Sequence, residues 1–171
     1  QRLSINISPI QFQDPNFSER VKELLTLCNC PADFIEFEIT ESTLFKSEAT
    51  AKMRMDELKS LGISLALDDF GTGYSSLSHL KRLPVQKLKI DKSFVQDLNN
   101  IPKDLRFIRT IIRLAQSLEL QVVAEGIEVV ENYRDLISEG CHYGQGYLFS
   151  RPICSDEMTE LLAAGVQELA T

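Results

Sequence analysis

The stretch "LALDDFGTGYSSL", residues 65 to 77, runs from an apolar segment directly into two adjacent carboxylates, Asp68 and Asp69, and then into a turn carrying Gly71 and Gly73. With Ile63 ahead of it, the apolar part reads as a buried strand. Aspartate is common at turns and helix N-caps, and glycine supplies the positive φ that tight turns need. One aspartate serves a cap. A second like charge beside it calls for a reason that a cap does not provide.

The strand over 63 to 67 is one of six short apolar runs. The others are "LSINI" (3 to 7), "FIEFEI" (34 to 39), "VQKLKI" (85 to 90), "LQVVA" (120 to 124) and "GYLF" (146 to 149). Between them, residues 17 to 28, 45 to 61, 75 to 82, 104 to 118, 128 to 139 and 156 to 169 carry a helical period and are predicted helices. Leu105, Ile108, Ile111, Ile112 and Leu114 are spaced as a core-facing stripe. Strand followed by helix, repeated without a hairpin signal, predicts an α/β fold with a parallel sheet covered by helices. No linker or low-complexity stretch divides the chain, so residues 1 to 171 read as one domain.

The 171 residues are 43% hydrophobic, enough for one substantial core. A net charge of -7 argues against a groove for a nucleic-acid polymer, which needs a basic face. An acidic protein still binds an anionic ligand when metal cations sit between them. There is no apolar run long enough to span a membrane and no signal peptide, and membrane contact by this segment is not expected. The four cysteines, Cys28, Cys30, Cys141 and Cys154, form no CxxC pair and read as reduced thiols of a cytoplasmic protein. His79 and His142 lie outside any zinc-binding arrangement and read as incidental. The chain starts at Gln1 without Met, as expected of a piece processed or cut from a longer protein.

A polar group stands at one end of every predicted strand. Asn6 and Ser8 follow the first, Glu38, Thr40 and Glu41 end the second, and Asp68 and Asp69 end the third. Lys89 and Asp91 end the fourth, Glu125 and Glu128 follow the fifth, and Gln145 leads into the sixth. For the first five this is the C-terminal end, where parallel α/β folds build their sites. Singly, each has a structural reading: Asp91 with Ser93 caps a helical turn, Thr40 and Ser42 cap the next helix, and Glu125-Gly126 makes a turn. Collectively they point to a site. Glu38 carries the most weight, because a carboxylate among Phe34, Ile35, Phe37 and Ile39 meets a desolvation penalty unless it is paired or binds metal.

Several oxygen donors without sulfur or imidazole suit hard divalent cations such as Mg²⁺ or Mn²⁺. Adjacent carboxylates suit a pair of ions about 3.5 to 4 Å apart that activates water and stabilises entering and leaving oxygens at phosphorus. The repulsion between Asp68 and Asp69 is then offset by metal charge. Lys89, near the same rim, is placed to orient that water or stabilise developing negative charge.

"SINISPIQF" (4 to 12), "FEITES" (37 to 42), "LDDFGTGYSSL" (67 to 77), "LKIDKSFV" (88 to 95), "VVAEGIE" (122 to 128) and "YGQGYLFSRP" (143 to 152) resemble, in order, the motifs of EAL-domain phosphodiesterases. The resemblance covers essentially the whole chain. It implies a TIM-like (β/α) barrel and Mg²⁺- or Mn²⁺-dependent hydrolysis of cyclic di-GMP to linear pGpG. Carried over by position, Asn6, Glu38 and Asp68 resemble ligands of one metal, with Asp68 bridging to a second held also by Asp69. Glu125 resembles the glutamate that reaches the second metal or its water, and Lys89 the lysine near the nucleophilic water. Gln145 is similar to a late polar group of the site, and Asp91 to the acid that supports the lysine motif. Glu41 resembles the residue that pins the "DFGTGYSS" loop, whose glycines let it fold over the site and couple Asp69 to dimerisation.

The Glu-Ala-Leu tripeptide that names the family is absent. The chain is expected to open at the family's third strand, with about six of eight barrel strands present and the N-terminal part outside it. An open sheet with two parallel edges favours a homodimer or higher homo-oligomer. The resemblance also implies linked sensor or diguanylate cyclase (GGDEF) domains in the parent protein, and a membrane anchor, where there is one, in another domain. Two function classes stand apart: a phosphodiesterase, favoured by the retained carboxylates and Lys89, and a non-catalytic module binding cyclic di-GMP or a protein partner, favoured by the absent tripeptide. An unrelated metal-dependent barrel lyase shares strand-end carboxylates but does not explain the loop or "GQGYLFSRP".

Overall fold

A computed structural model describes residues 2–44, 48–72, 77–96, 98 and 102–164. Its strands are β1 (Leu3–Asn6), β2 (Ile35–Thr40), β3 (Ser64–Phe70), β4 (Lys87–Ile90), β5 (Gln121–Ala124) and β6 (Tyr143–Gly144). They form one sheet in the order β1-β2-β3-β4-β5-β6, with every neighbouring pair parallel. The connections hold α1 (Pro9–Gln13) and α2 (Phe17–Leu27) after β1, then α3 (Glu41–Leu44) and α4 (Glu48–Ser60) after β2. They continue with α5 (Leu77–Leu80), α6 (Lys92–Gln96), α7 (Pro102–Ser117), α8 (Val130–Ser138) and α9 (Ser155–Ala164). Strictly sequential parallel strands joined through helices are the arrangement of an incomplete (β/α) barrel, with β1 and β6 as its open edges. Among the described residues no helix is long and apolar enough to cross a membrane.

The sheet has two unlike faces, set by the period-2 alternation of its strands. Phe37 and Ile39 of β2, Leu65 and Leu67 of β3, Leu88 and Ile90 of β4, and Val122 and Ala124 of β5 belong to one buried cluster. Met55 and Leu58 of α4, Ile108, Ile111, Ile112 and Ala115 of α7, and Leu136 of α8 close it from the other side. On α7 the buried stripe follows i, i+3, i+4 and i+7, while Leu105 and Leu114, expected in it, are only half-buried. Each fully buried aliphatic side chain contributes roughly 1.5–3 kcal/mol.

The other face is polar. Glu36 accepts from Ser4 Oγ at 3.2 Å and from Lys87 Nζ at 3.0 Å. The same ammonium lies 4.9 Å from the ring centroid of Tyr143. Glu38 and Lys89 stand two residues further along β2 and β4, at the C-terminal end of the sheet.

One predicted strand is corrected. Residues 146 to 149 form a turn, and the sixth strand is Tyr143–Gly144. The apolar character of Tyr147, Leu148 and Phe149 suggests a strand, but Phe149 N–H donates to the Gly146 carbonyl at 3.1 Å and closes a turn. The turn is held against the segment after β5, where Leu148 N–H donates to the Ile127 carbonyl at 3.0 Å. A Cβ at Gly146 would lie 2.1 Å from that carbonyl oxygen, so only glycine fits. Other differences are small: Phe34 closes a 3₁₀ turn ahead of β2, and α1, α3 and α6 are additional short helices. Parts of three predicted helices, residues 45–47, 75–76 and 165–169, lie outside the described residues.

Leu88 is fully buried, between two lysines that face the opposite side of the sheet. Leu88→Ala is expected to cost about 2–5 kcal/mol in urea unfolding by removing core volume under the ion cluster. A loss well below 1 kcal/mol would mean that the central strand does not organise the core.

Candidate metal centre

The site is built where β3 departs from regular pairing. Leu67 pairs with Leu88 and Phe70 with Ile90, so three steps along β3 match two along β4. This is a bulge with one extra residue. Asp69 occupies the left-handed region at φ 56°, and its N–H donates to Asp68 Oδ1 at 3.0 Å. The bulge explains the paired aspartates: Asp68 keeps the place of an inner-face residue, and Asp69 is turned toward the ends of β4 and β5. Gly71 follows at φ +100°, with a hypothetical Cβ 2.9 Å from the Phe94 ring. The rest of the expected loop, residues 73–76, lies outside the described residues.

Four strands bring the first group together. Oxygens of Glu38 from β2, Asp68 from β3 and Glu125 from the end of β5 all lie within 4.8 Å of one another. Lys89 from β4 reaches all three: its Nζ is 2.5 Å from Glu38 Oε2, 3.2 Å from Asp68 Oδ1, and in direct contact with Glu125 Oε1. Glu38, Asp68 and Lys89 are buried. Burial works to lower the Lys89 pKa, but hydrogen bonds to Glu125 and Glu38 and the charges of Glu125 and Asp68 outweigh it. The net effect holds the ammonium above the ordinary lysine range.

The second group consists of Asp69, Asp91 and Glu125. Asp91 Oδ1 accepts from Ser93 N at 3.0 Å and Ser93 Oγ at 2.5 Å, so the capping role foreseen for Asp91 coexists with its place in the group. Burial pushes Asp69 above the ordinary carboxylate value, and the charges of Asp68 and Asp91 add to the rise. Burial likewise raises Glu125 against the opposing hydrogen bond and charge of Lys89.

Asn6 pairs in register with Glu38, which places it beside the first group at the edge strand. Gln145 is exposed and lines a cleft of about 230 Å³ together with Glu125, Lys92 and Tyr147. Glu41 is buried at the start of α3, and among the described residues neither carboxylate oxygen has a hydrogen-bond partner. The acid shared by the two groups is Glu125, where the resemblance implies Asp68. Glu128, counted from sequence among the strand-end polar groups, accepts from Gln96 Nε2 at 3.2 Å on the cleft wall.

These donors fit hard divalent cations. Both groups are made of oxygens alone, they share an acid, and the paired carboxylates are only partly neutralised by Lys89.

A family model described as "EAL domain" matches residues 1–152. Over 163 residues the chain is 38% identical to cyclic di-GMP phosphodiesterase NbdA of Pseudomonas aeruginosa, covering 95% of this chain and 21% of that protein. The solved EAL domain of Mycobacterium smegmatis DcpA superposes with a TM-score of 0.92 at 43% identity, over 97% of this chain and 74% of that one. Klebsiella pneumoniae BlrP1, solved as a manganese and cyclic di-GMP complex, superposes with a TM-score of 0.81 at 32% identity, over 89% and 39%. The chain spans about a fifth to a quarter of the length of the curated relatives it matches.

Asp69 and Glu125 bind their protons more tightly folded than unfolded. Their contribution to stability is therefore greatest at low pH and is lost as pH rises from the ordinary carboxylate range through the raised values. In chelator, Asp69→Asn, which also tolerates left-handed backbone, is expected to raise Tm relative to wild type by more at about pH 7 than at about pH 4. Equal differences at both pH values would show that Asp69 ionises in the fold without cost.

Proposed function

From the membership of this chain in the EAL domain family, we propose that it supplies the larger part of a metal-dependent phosphodiesterase site hydrolysing cyclic di-GMP to linear pGpG. The observation that carries this reading is the convergence at the C-terminal ends of β2 to β5 of two carboxylate groups sharing Glu125, the first (Glu38, Asp68, Glu125) around Lys89 and the second adding Asp69 and Asp91. NbdA is named for this activity, and BlrP1 was solved with manganese and cyclic di-GMP.

Glu38, Asp68 and Glu125, with Asn6 beside them, would hold one Mg²⁺ or Mn²⁺, and Asp69 and Asp91 with Glu125 a second. Such a pair, when bound, supplies an activated water and offsets charge at phosphorus. Lys89 is placed to orient that water and to stabilise the negative charge that develops on the phosphoryl oxygens. The cleft carrying Gln145, Lys92 and Tyr147 leads away from Glu125 and offers a cation, an amide and an aromatic face to a nucleotide. The buried carboxylate of Glu41 is assigned to the loop after β3. A cytoplasmic catalytic domain, linked in its parent protein to sensor or GGDEF domains, completes the reading.

A non-catalytic module that binds cyclic di-GMP or a protein partner is the second reading, favoured by the occupation of the first carboxylate group by Lys89. The deciding experiment follows pGpG release with Mg²⁺ or Mn²⁺ for this chain beside its longer parent protein. Turnover by the parent, abolished by chelator and lowered about 10²-fold or more by Asp68→Asn, supports the enzyme. A folded, metal-binding parent without turnover puts the binding module in its place.

The open edges favour self-association. Leu3 is 61% exposed on β1, and Tyr143 is 48% exposed on β6. Light scattering is expected to give the mass of a homodimer or higher oligomer, and a monodisperse monomer would overturn that expectation.

A further inference from the structure

We infer that Lys89 is the resident cation of the first carboxylate group. In the metal-free protein its ammonium holds Glu38, Asp68 and Glu125 together in the place a divalent cation takes, and metal entry releases it. The inference rests on the metal reading of these ligands given above.

The argument begins with which atoms Lys89 touches. The three carboxylates that lie close enough to share an ion are the same three that its Nζ contacts. They come from β2, β3 and the end of β5, so nothing in local sequence holds them together. Brought within 4.8 Å of one another on a water-poor face, three carboxylates repel unless a positive charge sits among them. Lys89, only 3% exposed, is the cation in contact with all three.

Two consequences follow from counting. Three carboxylates against one ammonium leave net negative charge, so the group still attracts a divalent cation while Lys89 occupies it. An ammonium has three N–H donors and no acceptor, and here two of them go to Glu38 and Glu125 while Asp68 lies in ion-pair contact. In the metal-free state at least two of the three Lys89 donors are therefore taken by carboxylates rather than offered to a water or a phosphoryl oxygen. A cation taking these carboxylates frees donors on the lysine, so metal binding precedes the role of Lys89 toward substrate. Lys89 is in this sense a positioning residue for the ligands before it serves the reaction.

The test is thermal unfolding of the 171-residue chain in chelator and in saturating Mn²⁺. It compares wild type, Lys89→Met, and Lys89→Met combined with Glu38→Gln. Removing one partner from a buried ion cluster is expected to lower the metal-free Tm of Lys89→Met on the order of 10 °C. Glu38→Gln in the same chain is expected to recover part of that loss by removing one of the repelling charges. Mn²⁺ is expected to raise the Tm of Lys89→Met more than that of wild type, because it replaces a missing cation without displacing one. An unchanged metal-free Tm for Lys89→Met, no recovery with Glu38→Gln, or equal Mn²⁺ stabilisation of both chains would each overturn the inference. If Lys89→Met does not fold without metal, its rescue by Mn²⁺ or by Glu38→Gln supports the inference, and failure of both rescues overturns it. Mn²⁺ shifting neither chain would overturn the metal reading and the release step with it. The Glu38→Gln arm would still decide whether Lys89 holds the carboxylates.

Discussion

Burying two carboxylates and a lysine at one end of a sheet, with a third carboxylate half-buried against them, constrains the strands that carry them. Each charged group must arrive from a different strand, at the same height and on the same face. Parallel strands in sequential order meet that requirement through a stagger: Asn6 stands beside Glu38, Asp68 pairs with Thr40 two residues beyond Glu38, and Glu125 lies two residues beyond Val123, the partner of Lys89. A shift of one residue in any strand would move its charge to the helix-covered face, into the hydrophobic cluster of Ile39, Leu67 and Ile90. The apolar core and the ion cluster thus specify the same register from opposite sides.

The layer beneath repeats the scheme with less charge. Glu36, Lys87 and Ser4 fill the inner face one step closer to the N-terminal ends of the strands, and Tyr143 closes over the ammonium. Burying an ion pair adds little net stability, because desolvation offsets most of the attraction. Its evident effect is geometric: it fills the concave side of β2 and β4 below the site, with Ser4 and Lys87 both donating to Glu36 Oε1.

Much of this was legible in the sequence, and the rest depended on backbone geometry. The five longer strands could be read because each lies in a short apolar run, and in β2 Ile35, Phe37 and Ile39 also alternate with Glu36 and Glu38. The sixth was misplaced because two residues give no period, and the neighbouring aromatic run attracted the assignment. The helix α1 carried a readable signal, since Ser8 and Gln11 form a reciprocal cap around Pro9. That pattern was passed over because the helix is too short to show an amphipathic period. At the site, the residue types announced their chemistry: a carboxylate in an apolar strand and two more at a strand end. Which acid joins both groups, and that Lys89 touches all three acids of the first group, could not be read. Both depend on a φ value at Asp69 and on how the end of β5 approaches β4. The residue roles came from the motif resemblance rather than from spacing.

The bulge in β3 has a further implication. Phe70 returns to the register of Ile90 after it, so Asp69 is supernumerary in the strand. A chain without that residue would keep Asp68 on the inner face and Phe70 in the core, with unbroken pairing to β4. The two carboxylate groups are therefore separable by a single codon. A lineage could shed the second group, or gain it, in one deletion or insertion, leaving the first group and the hydrophobic core undisturbed.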